Sequence, residues 1–325
     1  MSVELRIRGT HLGGAIGDAL GAAFENTPSS VIENALGSSK VGDYEKGIPQ
    51  SLLGGHPAGM PTDDTAMALS LAGALASSRP ITAASIAKAF ATDFAENGRF
   101  KRLIWNGGVG GAVARALGRL ERGGDPETNG QLEDGGNGAV MRTHVAGALP
   151  DRQDVLTIAA VQARVTHGHP SAIAAAQAVA LVVHDAIAGR PFSAALPAGV
   201  EDAVLAASWR AMHANLKRRS GLPAHLRDVA MSAWETAAAA HAIAYLFEND
   251  VEEGIASAAG SGGDTDTIAC IVGAMLGAVH GENALPKRWL KGLRERAAVE
   301  DAADSLIRRY YPSQKRAVAV AAGRS

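Results

Sequence analysis

Apolar residues recur at helical spacing through almost the whole chain, and no stretch alternates apolar and polar residues long enough to make a strand. The spacing predicts helices near 8–24, 62–78, 82–97, 107–121, 138–149, 153–165, 170–188, 199–217, 226–248, 251–259, 265–281 and 285–296. Proline and glycine mark the joints, among them Pro28, Pro61, Pro80, Gly123-Gly124, Pro150, Pro170, Pro191 and Pro286. Residues 26–61, rich in Gly, Pro and Ser, read as a loop draped over a site. The stretch 122–136 reads as an ordinary connection. Neither has the character of a linker between independent halves. One all-α domain is expected over 1–312, with a loose basic tail over 313–325.

Glycine falls every fourth residue in two of the predicted helices, at Gly13, Gly17 and Gly21 and at Gly273, Gly277 and Gly281. Each glycine inside a helix costs about 1 kcal/mol relative to alanine. A stripe of three therefore implies that another backbone approaches closely, and places both helices at the crowded centre.

Composition narrows the class without naming a function. Hydrophobic residues make up 47% and charged residues 20%, an ordinary globular balance, and aromatics only 4%, which favours close-packed helices over sheet. A net charge of −2 gives no reason to expect nucleic acid or an anionic membrane as partner. The single cysteine, Cys270, sits in an apolar run and reads as a small core residue, so a reducing, cytoplasmic setting fits. Arg6 and Arg8 precede an apolar stretch as in a signal peptide, but Asp18 interrupts it. The longest apolar runs fall short of the roughly 20 residues of a membrane span.

The sharpest chemical signal is a pair of similar segments far apart in the chain. Pro61-Thr62-Asp63-Asp64-Thr65 opens one predicted helix and Gly262-Gly263-Asp264-Thr265-Asp266-Thr267 opens another. Thr and Asp suit a helix start as caps and as partners of the macrodipole. A cap needs only one such residue, and each helix here carries a surplus. Crowded carboxylates require something positive, and carboxylate and hydroxyl oxygens select Mg²⁺, Mn²⁺ or Ca²⁺ over zinc. If the two starts meet, their four carboxylates can hold two divalent ions, which suits hydrolysis of a bond to a sugar or of a phosphate ester.

Other candidates are weaker alone. Asp18, among apolar neighbours, needs a partner: a metal, or a nearby helix turn to cap. Glu25 is either an exposed helix-end residue or an acid/base at the rim of a pocket. Gly136-Asn137-Gly138 belongs to a glycine-rich turn of the kind that presents backbone N–H groups to phosphate. His167 and His169 flank a glycine before Pro170 and are structural or pocket-facing.

In this order, the segments Gly13–Glu25, Gly59–Leu69, Gly136–Arg142, Thr166–Pro170 and Gly260–Gly281 resemble the ADP-ribosylglycohydrolase family, which includes dinitrogenase reductase activating glycohydrolase and hydrolases of ADP-ribosylarginine and ADP-ribosylserine. The resemblance implies a compact orthogonal helix bundle with two divalent cations, Mg²⁺ or Mn²⁺. The ligands it implies are Thr62, Asp63, Asp64, Asp264, Asp266 and Thr267. It places Glu25 on a mobile flap, 26–61, as a catalytic residue together with Asp63 and Asp64, either of which would orient the attacking water. Gly136, Asn137, Gly138, His167, Gly262 and Gly263 would bind substrate. Pro61 stands where the family pattern has an aromatic or aliphatic residue, a departure that removes no ligand, and Trp105 is a candidate to stack on adenine.

The implied activity is release of ADP-ribose from a modified arginine on a protein or from a small ADP-ribose conjugate, by a monomer or weak homo-oligomer. A two-metal phosphoesterase and a non-catalytic ADP-ribose-binding relative are the rival readings.

Overall fold

A computed structural model describes residues 1–95, 109–216 and 221–312. Among them every regular element is helical, and β-type pairing is limited to isolated bridges. The expected Trp105 platform and the 313–325 tail lie outside the described residues.

The helix that opens the chain, α1 (Val3–Gly21), starts on Ser2, whose hydroxyl accepts the Leu5 N–H, and its second half is wholly buried. Its most extensive packing is against α11 (Thr265–His280), and the glycine stripes are the reason. A Cβ on Gly9, Gly13, Gly17 or Gly21 would overlap the carbonyl oxygen of Gly277, Gly273, Ala269 or Thr265 respectively. The pairing runs antiparallel, backbone against backbone; the spacing predicts a close backbone approach for each helix, and the structure shows that each is the other's partner.

Around this pair lie α2 (Ser29–Leu36), α3 (Asp63–Ser77), α4 (Ala83–Phe94), α5 (Gly111–Glu121), α6 (Arg152–Arg164), α7 (Pro170–Ile187), α8 (Ala203–Met212), α9 (Ala233–Leu246), α10 (Val251–Ala259), α12 (Lys287–Gly292) and α13 (Arg296–Tyr310). Their buried apolar faces form one large cluster that includes Ile16, Leu20, Met67, Leu71, Val179, Ile243, Ile271 and Leu306. By length and composition α7 could cross a membrane, yet 78% of it is buried inside the fold, as befits a core helix. Cys270 is fully buried against α1, in the core as expected.

Several boundaries differ from the periodic reading, each for a local reason. Residues 138–149 are not an α-helix but two 3₁₀ turns, Asn137–Ala139 and Thr143–Ala148. The buried Arg142 guanidinium donates to the Gly138 carbonyl at 2.6 Å, taking the acceptor that an α-helix would offer to the Arg142 N–H. The 226–248 helix begins only at Ala233, because Asp228 holds a left-handed φ of 53° and Val229 pairs with Gly263. Within the 26–61 loop lies α2, seated through Ser29 and Ile32 and stopped by Gly37 at φ 63°. The helix α13 packs Val299, Ala303, Leu306 and Ile307 onto α1 and α3, and its many charges hide this apolar face from the periodic pattern.

Candidate active site

The two acidic segments lie about 200 residues apart in sequence, and α1 brings them together. Its last turn abuts the start of α11, where the Thr265 hydroxyl donates to the Gly21 carbonyl at 2.8 Å. One turn earlier, Asp18 accepts the backbone N–H groups of Thr62 and Thr65, each at 3.0 Å, and the Thr65 hydroxyl. Asp18 thus caps the first turn of α3 from a neighbouring helix, the structural alternative for that residue. Its burial pushes its carboxyl above the usual range, and these hydrogen bonds oppose the shift.

Glu25 follows α1 by a single 3₁₀ turn, Ala22–Phe24. It converges with Asp264 and Asp266 so closely that one carboxylate oxygen from each lies within 4.8 Å of the others. Asp63 and Asp64 line the same cleft, of about 190 Å³, beside Gly136, Asn137, Gly138, His167 and Thr267. Burial and mutual repulsion disfavour charge here. Glu25 is pushed up to about 8, first by desolvation and then by Asp264, Asp63 and Asp18. Asp63 is pushed up to about 7 by burial, partly offset by the Gly110 N–H that donates to it. Asp64 and Asp266 are raised well above the carboxylate range, again chiefly by burial.

Among the described residues no Lys or Arg pairs with these five carboxylates. Asp64 Oδ1 is buried without a hydrogen-bond partner. Isolated buried carboxylates are costly unless paired or bound to a metal. The donor set is all oxygen, and it fits a hard divalent cation.

The remaining sequence candidates divide. Asn137 donates to Asp264 and, at 3.1 Å, to the Thr236 hydroxyl, fixing the carboxylate at the head of α11. His167 is 1% exposed, and its Nδ1 lies 2.8 Å from the Thr166 hydroxyl, which accepts from Arg142. Burial and the nearby Arg142 depress it to about 3, so it faces the cleft as neutral imidazole. Gly262 and Gly263 do not line this cleft, and Gly263 lines an adjoining depression together with Met231 and Asp264. Both have positive φ, 79° and 71°, and Gly263 pairs with Thr27 on one side and Val229 on the other. The Thr62 hydroxyl accepts the Asp64 N–H as the N-cap of α3, and Thr62 is not among the cleft-lining residues. His169 caps α7 and lies against Trp234, 5.1 Å between ring centres.

Sequence reasoning missed Gly110, Gly111 and Val113 at the start of α5, and Met231, all of which line the cleft. Gly110-Gly111 is a weak glycine signal, and nothing in the pattern around Met231 marks it.

The model of the ADP-ribosylglycohydrolase family matches residues 1–316. An ADP-ribosyl-[dinitrogen reductase] glycohydrolase of Rhodospirillum rubrum is 29% identical over 90% of this chain and 91% of its own length. The ADP-ribosylhydrolase ARH3 of Gallus gallus is 26% identical over 94% of this chain and 93% of its own. The ADP-ribosylarginine hydrolase Tri1 of Pseudomonas putida is 27% identical over 94% and 78%. A solved structure described as an ADP-ribosylglycohydrolase-related protein complex superposes with a TM-score of 0.75 at 30% identity, covering 95% of this chain and 99% of that one.

Proposed function

The chain belongs to the ADP-ribosylglycohydrolase family and is a glycosidic-bond hydrolase, and on that premise we propose that it is a metal-dependent enzyme freeing ADP-ribose from modified arginine on proteins or small conjugates. The observation that carries the reading is the cleft in which Glu25, Asp63, Asp64, Asp264 and Asp266 crowd together, with no Lys or Arg among the described residues forming a salt bridge to them.

The proposed ligand set is Asp63, Asp64, Asp264, Asp266 and Thr267, with Thr62 joining from its capping position. Two divalent cations, Mg²⁺ or Mn²⁺, would supply there a hold on vicinal ribose hydroxyls and a water of lowered pKa. The chain's own groups do the rest. Asp63 or Asp64 orients the water toward the anomeric carbon. Attack forms the new C–O bond as the bond to the arginine nitrogen breaks, with the electron pair leaving on nitrogen and the water's proton passing to the carboxylate that orients it. Glu25, half-buried in the same cleft beside Asp264 and Asp266, is placed to hold a proton and deliver it to that nitrogen. The carboxylates stabilise oxocarbenium character at the sugar. Gly136, Asn137, Gly138 and neutral His167 form the polar wall for the diphosphate and distal ribose, and Gly262-Gly263 shapes the loop that presents Asp264.

The arginine acceptor is supported by a relative that carries that specificity in its name. The lone buried Cys270 fits a reducing, cytoplasmic setting.

The test incubates the protein with ADP-ribosyl-arginine and ADP-ribosyl-serine peptides in Mg²⁺, Mn²⁺ or EDTA, with Asp64→Ala and Asp266→Ala alongside. Free ADP-ribose from the arginine peptide, dependent on metal and lost in both variants, is expected. Release of AMP would make it a phosphoesterase, and turnover in EDTA would end the metal reading.

A further inference from the structure

A second cavity, of about 450 Å³, opens between α6, α7, α9 and the segment 190–198, and shares no lining residue with the acidic cleft. We propose that it is a ligand site for a small aromatic acid that carries a hydrogen-bond donor at the end remote from its carboxylate.

The inner end is set by a chain of two histidines. His213 Nδ1 lies 2.8 Å from the Trp209 carbonyl, which can only accept, so that nitrogen carries the proton. Burial holds His213 neutral, so its Nε2 is a bare acceptor. His241 Nδ1, 2.8 Å away, must therefore be the donor to it. This leaves His241 Nε2 as an unprotonated lone pair, without a hydrogen bond among the described residues, on a side chain 1% exposed that lines the cavity. A phenylalanine would stack as well on Trp209, whose ring centre is 4.5 Å from that of His241. The imidazole brings to the cavity wall an acceptor that the packing does not use.

The walls are apolar and the rim is cationic. Val182, Phe192 and Leu196 line the sides. At the mouth, Asp185 is shared by Arg190 at 3.3 Å and Arg152 at 3.9 Å, two cations to one carboxylate among the residues that line the cavity. The outer segment is anchored on three sides. Trp209 Nε1 donates to the Ala194 carbonyl at 3.1 Å, Arg152 to the Ala198 carbonyl at 2.8 Å, and the Phe192 N–H to Glu248 at 2.8 Å. Acceptor at the base, apolar flanks and net positive rim together select a flat ligand with a donor inside and an anion outside.

The probes are 4-hydroxyphenylacetate, phenylacetate and tyramine, titrated by calorimetry into the full chain with ADP-ribose present or absent. Saturable binding of 4-hydroxyphenylacetate, unaffected by ADP-ribose, is expected. Phenylacetate lacks the donor and tyramine the anion, so each should bind about fivefold to tenfold more weakly. Arg190→Glu, on a side chain 54% exposed, should cost a similar factor without touching the core, and His241→Phe should erase the preference for the hydroxyl. Nitrogen NMR of labelled histidine should show His241 Nε2 unprotonated and shifting on binding. Absent or non-saturable binding, equal affinity for the three probes, competition by ADP-ribose, or a protonated Nε2 would each overturn the proposal.

Discussion

Both oxygens of Asp18 lie 3.0 Å from the backbone N–H of Thr62, so a carboxylate in the middle of α1 holds the N-terminus of α3. Removing that carboxylate leaves the Thr62 and Thr65 N–H groups without their acceptor. Asp18→Ala should destabilise by about 2–3 kcal/mol and Asp18→Asn, which keeps one acceptor oxygen, by about 1 kcal/mol, measured by urea denaturation. The alanine variant should also weaken metal-dependent activity, because Asp63 and Asp64 sit in the turn that frays. Wild-type stability in Asp18→Ala would show that α3 needs no support from α1.

The contact of α1 with α11 tolerates no side chain. A Cβ at Gly17 meets the carbonyl of Ala269, which is helix backbone and cannot swing aside. Gly17→Ala should cost about 3 kcal/mol through overpacking, whereas Gly73→Ala, with open space around its Cβ, should be neutral or slightly stabilising. Thermal melts of the two variants separate a close-approach glycine from a merely tolerated one.

In metal-free protein the acidic cleft should make stability fall as pH rises. Glu25 and Asp63 are raised to about 8 and about 7, while in the unfolded chain both titrate near 4. Between those limits the native state binds more protons than the unfolded state, so the slope of stability against pH is negative. The melting temperature in EDTA should decline from pH 5 to pH 8 and level off above. Mn²⁺ should raise it more at pH 8 than at pH 6, since binding displaces those protons. A metal-free protein that gains stability from pH 5 to pH 8 would contradict the crowding of these carboxylates.

Much of this arrangement could be read from residues alone, and the limits of that reading are physical. The fourfold glycine spacing announced a central place for α1 and α11 because a close backbone approach leaves its mark at successive turns, but that each is the other's partner is supplied by the fold. The doubled Thr/Asp clusters announced an oxygen-rich site because their charge exceeds what capping needs. Asp18 could not be assigned from sequence, since its partners Thr62 and Thr65 are brought to it only by the fold. The Arg142 side chain gave no warning that it would take the Gly138 carbonyl and break the predicted 138–149 helix. Met231 and the start of α5 reach the cleft through tertiary placement, which periodicity does not encode.

Replacing Glu25 by glutamine keeps the shape and removes the proton. If Glu25 serves as acid/base, kcat should fall roughly a hundredfold to ten-thousandfold with little change in KM. The metal-free variant should also melt higher than wild type at pH 8, where Glu25 otherwise adds charge beside Asp264 and Asp63. Unchanged kcat would place the proton transfer elsewhere.

Asp228 ties the loop bearing Glu25 to the loop bearing Asp264. Its carboxylate accepts the Ser29 N–H at 2.6 Å and the Ser29 hydroxyl at 2.8 Å, while its own N–H donates to the Ser261 carbonyl at 3.0 Å. Ser29 lies four residues after Glu25, and Gly263 bridges Thr27 to Val229 in between. Two effects must be separated, because Asp228 also holds a φ of 53° that disfavours most side chains. Glycine relaxes the backbone but removes the carboxylate; asparagine tolerates the left-handed φ and keeps an acceptor; alanine loses on both counts. Asp228→Gly and Asp228→Ala should therefore lower kcat about tenfold with a smaller change in KM, alanine being also the less stable, and Asp228→Asn should keep most of the activity. If Asp228→Gly retained wild-type kcat, the residue would serve the turn alone, and the position of Glu25 would rest on the Gly263 pairing with Thr27.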